Sequence, residues 1–293
     1  MLKNMDELLE LAKRRGKRRI AVAAAASRNI LEGLKLAEDL VHPLLVGDPD
    51  TIKQYIDEIG LNAEIIGSRD MRESTYWALE LVRKGEADLI MKGKVPTPDF
   101  LRAVLDKEKG LRTNRVLSHL TVLGVPRYHK LLFITDAGMN IRPDLEMKTK
   151  ILRNAFEILF RLGYEQPKAA VLASIEQLHP DMPETLDAAA LSKMADRGVF
   201  GNALVDGPLA FDLAISRESA EIKGVKSPVA GDADILLVHD VAAGNSLAKS
   251  MIYFGGAKAG GIILGAKAPV VLLSRADSPE QKLYSIAFAL ASL

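Results

Sequence analysis

The chain of 293 residues contains no cysteine. This absence excludes a thiol nucleophile, thiolate metal ligands and disulfide bonds, and it fits a reducing compartment such as the cytoplasm. The five histidines, at positions 42, 119, 129, 179 and 239, do not have the spacing of metal ligands. We therefore expect a cytoplasmic protein with no bound metal.

Long apolar runs are missing as well. No stretch approaches the roughly 20 apolar residues of a membrane-spanning helix, and the first residues lack the apolar core of a signal peptide. The net charge is only +1, so no overall field favours nucleic acid. These absences predict a protein that has neither a membrane nor a nucleic acid as its partner.

Two common phosphate-binding fingerprints are also absent. No GxGxxG follows the first predicted strand, and no GxxxxGK[ST] occurs anywhere in the chain. We expect no bound cofactor, and any phosphate site must be built from other groups. The content of 48% hydrophobic and 26% charged residues is that of an ordinary globular protein.

What the sequence does contain is a regular alternation of buried strands and amphipathic helices, which predicts an α/β fold with largely parallel sheets. Two neighbouring strands, at 117–123 and 131–134, have no helix between them. They indicate a hairpin or the crossing into a second domain. The length suits two domains. They are predicted at 1–137 plus 273–293 and at 138–272.

Two local helix predictions lie in the second half of the chain. A short helix is predicted at 208–214, and another helix is predicted to begin at Gly244–Asn245.

The chain is organised around a stretch near its end. Residues 270–273 are apolar and predict a strand buried on both faces. Ser278 then stands as a helix N-cap, with Pro279 in the first turn and Gln281 placed to close a capping box. Between strand and helix lies Arg275, whose fork of donors suits a phosphate. An exposed arginine in an ordinary turn is an equally good interpretation.

Other polar segments also follow predicted strands. KGKVPTPDFLR at 92–102 offers the hydroxyl of Thr97 and the guanidinium of Arg102 to an oxyanion, although Thr97 could simply cap a helix. Asp136 and Asn140 would point into a crevice if their strand is parallel. Asp206 belongs to a third such segment, and each of these is individually also typical of a turn.

Taken in order, these segments resemble the phosphate acetyl/butyryltransferase family, and more closely its butyryltransferase branch. The residues that carry the resemblance are KGKVPTPDFLR at 92–102, TDAGMNIRPD at 135–144, TLDAAALSKMA at 185–195, DGPLA at 206–210, GDADIL at 231–236, AGN at 243–245 and LSRADS at 273–278. The resemblance implies two three-layer α/β/α domains with an interdomain cleft, as in isopropylmalate dehydrogenase. It also implies reversible acyl transfer between coenzyme A, as a substrate, and phosphate in a homodimer or larger homo-oligomer.

The resemblance also implies roles for individual residues. Arg102 and Arg275 match the family's phosphate-binding arginines, Ser274 precedes the second of them, and Thr97 lies in a hydroxyl-bearing phosphate loop. The remaining substrate-binding candidates are Ser118, Asn140, Asp206, Gly244 and Asn245.

Two carboxylates are candidates for the general base. The acetyltransferase branch has an aspartate at the position of Gln281, which cannot act as a base, so Asp277 and Glu280 become the candidates. Asp277 is favoured for its place at the carboxyl end of the strand. Direct transfer in a ternary complex is expected because no nucleophile–base pair is evident.

Three alternatives stay open at this point. The protein could be a phosphate acetyltransferase, or an oxidoreductase of similar architecture, although no dinucleotide signature supports the latter. It could also be a non-catalytic module that senses coenzyme A, but the retained arginines favour an enzyme.

Overall fold

The computed structural model describes residues 1–272, 274 and 276–293. Helices and strands alternate along most of the chain, as predicted. The helices are α1 Met5–Arg14, α2 Arg28–Leu36, α3 Pro49–Ile59, α4 Met71–Arg83, α5 Thr97–Val104, α6 Leu145–Arg161, α7 Pro183–Asp196, α8 Phe211–Ile215, α9 Arg217–Ile222, α10 Val241–Tyr253 and α11 Pro279–Ala291. The strands are β1 Arg18–Ala23, β2 Val41–Gly47, β3 Glu64–Gly67, β4 Leu89–Lys92, β5 Ser118–Gly124, β6 Leu132–Thr135, β7 Lys168–Leu172, β8 Leu204–Leu209, β9 Ile235–Leu237, β10 Lys258–Leu264 and β11 Val270–Val271.

The chain forms two compact units. The terminal unit consists of Asp6–Arg115 and Gly260–Leu293, and the central unit of Met1–Met5 and Val116–Ala259. These boundaries differ from the predicted division at 137/138 and 272/273. The reason is that β5 and β6 pair with each other and continue into the sheet of the central unit, so the chain enters that unit before the hairpin.

In the terminal unit the strands follow the order β3-β2-β1-β4-β11-β10. Neighbours are parallel except for β11 and β10, which are antiparallel. The inner strands are buried on both faces, and Ile20–Ala23 and Leu89–Lys92 have no exposed position. Such continuous apolar runs are what a parallel sheet covered by helices requires. The carboxyl ends of β1, β4 and β11 therefore lie at one edge of the sheet.

In the central unit the order is β5-β6-β9-β7-β8. Strands β5 and β6 form the antiparallel pair that the sequence offered as one possibility, with Val122 opposite Phe133. Strands β6, β9, β7 and β8 run parallel to one another. The mostly parallel α/β class predicted from the alternation is confirmed in both units.

Some local predictions were wrong. The helix predicted at 208–214 begins only at Phe211, because β8 continues to Leu209, which pairs with Leu172 of β7. Helix α10 begins at Val241, before Gly244, because the Asp240 carboxylate caps it by accepting from Ala243 N. Thr97 is the first residue of α5 and not its cap, since Pro96 holds the N-cap position without a side-chain bond.

The capping box of α11 was predicted correctly. Ser278 Oγ accepts from Gln281 N at 3.2 Å, and Gln281 Oε1 accepts from Ser278 N at 2.8 Å. The helix itself is deeply buried along most of its length. None of the helices in the described ranges is long and apolar enough to cross a membrane.

Candidate active site

A cavity of about 480 Å³ lies in the terminal unit, where residues after β1, β4 and β11 come together. Its described lining contains four cationic side chains and no carboxylate. The lining consists of Ala26, Ser27, Arg28, Asn29, Ile30, Tyr55, Met71, Lys92, Gly93, Lys94, Pro96, Ser274 and Lys282. Positive charge concentrated in a recess raises the local concentration of anions. The cavity is therefore suited to an anionic ligand.

Gly93 allows the segments after β1 and β4 to approach each other closely. Its amide donates to Ala23 O at 2.8 Å, and Lys94 N donates to Ala24 O at 2.8 Å. A Cβ atom at position 93 would lie 2.3 Å from both Ala23 O and Ala24 O, which no side chain can tolerate. The glycine in the KGKVPTPDFLR segment thus has a backbone role, and it keeps the two loops together at the rim of the cavity.

Two of the cationic groups, Lys92 and Lys282, are almost fully buried. Lys92 Nζ donates to Gly93 O at 3.1 Å and to Val95 O at 3.2 Å, so that it fixes the turn after β4. Lys282 Nζ donates to Asn29 Oδ1 at 3.0 Å and to Asp277 O. Burial lowers the pKa of Lys282, and the nearby carboxylates partly oppose that shift.

The predicted catalytic segment begins at this cavity, which Ser274 lines. Ser274 N donates to Asp277 Oδ2 at 2.8 Å, and Asp277 N donates back to Ser274 O at 3.2 Å. Glu280, on the first turn of α11, accepts a hydrogen bond from Tyr284 OH at 2.8 Å. Arg275, the predicted phosphate ligand, lies outside the described residues.

A second cavity, of about 460 Å³, adjoins the first, and Met71 and Pro96 line both. Arg102 lines this second cavity and donates from Nη1 to Asp99 Oδ1 at 2.7 Å. Both side chains of the pair are well exposed, so the guanidinium is accessible to a ligand. Thr97 is partly exposed at the start of the same helix and belongs to the lining of neither cavity.

In the central unit, Asp136 and Asn140 form one local network after β6. The buried Asp136 carboxylate accepts from Gly138 N at 3.0 Å, Met139 N at 2.9 Å and Asn140 Nδ2 at 2.6 Å. Strand β6 is parallel to β9, so these residues lie at the carboxyl end of parallel strands, as the interpretation required. The same bonds would also be made in a purely structural turn.

The other predicted binding residues of the central unit differ in accessibility. Gly244 is buried, and a Cβ there would lie 2.7 Å from Val238 Cγ2, whereas Asn245 beside it is exposed. Ser118 is fully buried and its hydroxyl accepts from Asn154 Nδ2 at 2.9 Å. Asp206 is half-buried and accepts from Gly207 N at 2.8 Å. Ser118 and Asp206 are thus engaged in internal hydrogen bonds.

The sequence interpretation missed Lys282 and Asn29 as lining residues. Their contact joins positions 253 residues apart, and no local pattern could reveal it. A lysine directly before the apolar part of the last helix, five residues after Asp277, was the one available signal. Within the described ranges there is no group of three or more histidine, aspartate or glutamate side chains that could hold a metal ion.

Comparison with known proteins agrees with this architecture. Residues 66–290 match the model of the phosphate acetyl/butaryl transferase family. The chain is 42% identical to phosphate butyryltransferase of Clostridium acetobutylicum, over 99% of this chain and 98% of that protein. It is 41% identical to phosphate acetyltransferase of Thermotoga maritima, over 97% and 98% of the two chains.

A solved structure also matches nearly the whole chain. The crystal structure of a branched-chain phosphotransacylase from Enterococcus faecalis superposes with a TM-score of 0.84 at 33% identity, and the match covers 94% of this chain and 98% of that one. The chain belongs to the phosphate acetyl/butaryl transferase family. The resemblance found in the ordered sequence segments is thereby confirmed.

Proposed function

We propose that the protein transfers a butyryl group reversibly between coenzyme A and inorganic phosphate, so that butyryl-CoA and phosphate give butyryl phosphate and free coenzyme A. The observation that carries this proposal is the near full-length similarity to phosphate butyryltransferases. The cationic cavity at Ser274 supports it, because phosphate and acyl phosphate are both anions.

In the direction of thiolysis, the thiolate of coenzyme A attacks the carbonyl carbon of the acyl phosphate. The new C–S bond forms as the C–O bond to phosphate breaks, and phosphate leaves with the bonding electron pair. We assign Arg275 and Arg102 to the charge on the phosphate, and Ser274 to a hydrogen bond with the reacting group. Donors that are already in place where charge develops are typically the largest single contribution to catalysis.

A free thiol has a pKa of about 8.5, so most of it is protonated at neutral pH. We assign Asp277 as the group that takes the thiol proton, with Glu280 as the alternative. Asn140, Gly244 and Asn245 of the central unit remain our candidates for substrate binding, together with Thr97. Ser118 and Asp206 also stay candidates for substrate binding, and each already has an internal hydrogen-bond partner.

Phosphate dependence tests the reaction class. Purified protein should release free thiol from butyryl-CoA only when phosphate is present, and EDTA should not change the rate. Thiol release is followed with a chromogenic disulfide in buffer that contains no arsenate. Heat-treated protein serves as the control. Equal release without phosphate would contradict the proposal, and saturable coenzyme A binding without any turnover would favour a sensing module instead.

Chain length of the acyl group is the second expected property. We expect a higher kcat/KM for butyryl-CoA than for acetyl-CoA by roughly ten-fold, because two further methylenes each contribute about 0.8 kcal/mol when buried. The similarity to a phosphate acetyltransferase at 41% identity makes acetyl transfer the second candidate function. Equal or better kcat/KM with acetyl-CoA, measured side by side, would establish that candidate.

A further inference from the structure

We infer that Lys282 and Asn29 are positioning residues, which clamp the main-chain carbonyl of Asp277 and so hold Ser274 and Asp277 in the geometry needed for acyl transfer. This inference rests on the proposed function. It assigns a role to the buried Lys282 and the half-buried Asn29, which both line the cavity and which the mechanism above does not use.

The clamp is formed by two helices that meet at one carbonyl oxygen. Lys282 on α11 donates from Nζ to Asp277 O and also to Asn29 Oδ1 at 3.0 Å. Asn29 on α2 donates from Nδ2 to the same oxygen, Asp277 O, at 3.3 Å. The three groups therefore form a closed triangle of hydrogen bonds. Displacing either side chain leaves the carbonyl with one donor fewer.

The fold provides space for the buried lysine. Lys282 is only 2% exposed, and its aliphatic stem passes over Gly33 of α2. A Cβ atom at position 33 would lie 2.6 Å from Lys282 Cβ and 2.8 Å from Lys282 Cδ. Burying an ammonium group is unfavourable unless it is well paired. An apolar residue would fill this slot at lower cost, so the lysine is better explained by what its Nζ atom holds than by packing.

The clamped carbonyl is directly connected to the predicted catalytic groups. Asp277 Oδ2 accepts from Ser274 N at 2.8 Å, and Asp277 N donates to Ser274 O at 3.2 Å. A shift of the Asp277 main chain therefore moves both its own carboxylate and the Ser274 backbone. Small misplacements of reacting groups reduce rates steeply because the reactive geometry is populated less often. Loss of the clamp should consequently lower kcat more than it raises KM.

The test uses the full chain with Lys282→Met, Asn29→Ala and the double variant. Lys282→Met keeps the length of the aliphatic stem but removes the hydrogen-bond donors. If Lys282 served only to pack against its neighbours, kcat would therefore stay unchanged. We expect kcat for phosphate-dependent thiol release to fall at least ten-fold in Lys282→Met and about three- to ten-fold in Asn29→Ala. The KM for phosphate should stay within about three-fold, and Lys282→Arg should recover part of the loss.

The double variant should lose less than the product of the two single losses, because both side chains act on one carbonyl. Lys35→Met is the matched control. Lys35 also lies on α2 and donates to a carboxylate, Glu38, and to a main-chain carbonyl, Gly60 O, but it does not line the cavity. This control should keep wild-type kcat.

Amide hydrogen exchange gives a readout that does not depend on activity. The amides of 276–278 should exchange faster in Lys282→Met and in Asn29→Ala than in the wild type. If the wild type proves inactive, the proposed function fails while this measurement still decides the clamp. Unchanged exchange in both variants, or wild-type kcat in Lys282→Met, would overturn the inference. If Lys282→Met does not fold, Asn29→Ala alone must show both effects.

Discussion

Replacing Lys130 by methionine is expected to destabilise the central unit by about 3–5 kcal/mol, the largest stability effect that we expect from a single substitution. The Lys130 side chain is 1% exposed, and its Nζ atom lies 2.6 Å from Asp234 Oδ1 and 3.0 Å from Asp232 Oδ1. It also donates to Asp232 O at 2.9 Å. Methionine would fill the space but leave the buried carboxylate of Asp234 without its cation.

The pKa shifts of the two carboxylates give this prediction a pH dependence. Burial alone would raise the pKa of Asp232, but bonds from Lys168, His129 and Lys130 hold it below its usual range. Burial raises the pKa of Asp234, and Lys130 opposes that rise. Asp232 therefore contributes stability above its unfolded pKa that is lost as the pH falls. Without Lys130 the Asp234 carboxyl is protonated more readily, so the cost of the substitution should shrink on acidification.

Thermal unfolding at pH 7 and near pH 4, followed by circular dichroism, measures both effects. A loss of 3–5 kcal/mol corresponds to a fall in Tm of roughly 6–20 °C. Adding Asp234→Asn should restore part of the stability, because the amide can still accept from Lys168 N without burying a charge. Lys193→Met, which removes an exposed pair with Asp196, is the control and should change little. A Tm within 2 °C of the wild type would contradict the prediction.

The ion-pair cluster of Lys130, Asp232 and Asp234 also shows which contacts cannot be predicted from the sequence alone. The GDADIL segment was recognised, but the pairing of its aspartates with Lys130, which lies 102 residues before Asp232, depends on the parallel sheet. Local signals were reliable where the physics is local, as in the Ser278 capping box. They failed at 208–214, because the strand pairing of Leu209 with Leu172, which no local pattern reveals, delays the start of the helix to Phe211.

The candidate site shows the same difference between residues with local sequence signals and residues that meet only through the fold. Ser274 was proposed because it lies in the LSRADS segment, which follows a predicted strand and carries part of the family resemblance. Lys282 and Asn29 were missed, since their meeting depends on how α11 packs on α2. The residues that would do the chemistry could thus be proposed from the sequence, whereas the residues that hold them required the fold.

The second large effect is expected at Asp277. The change Asp277→Asn keeps the size of the side chain and retains an oxygen that can accept from Ser274 N, which Asp277 Oδ2 does at 2.8 Å. It also leaves the main-chain carbonyl available to Lys282 and Asn29. Geometry is therefore preserved while the basic group is removed. A positioned general base contributes about 10²–10⁴-fold, so the thiolysis rate near pH 7 should fall by about that factor.

The pH dependence separates a base from a structural carboxylate. At pH 7 only about 3% of a thiol with a pKa near 8.5 is ionised, so the variant should recover activity as the pH rises toward that value. Glu280→Gln is the matched control, because Glu280 already accepts from Tyr284 OH and its amide can do the same. Gln281→Ala should affect only the helix cap. If Glu280→Gln shows the loss and the recovery instead, Glu280 is the base. If all three variants keep the wild-type profile, the thiol is deprotonated by another group or directly by solvent, and the assignment of Asp277 fails.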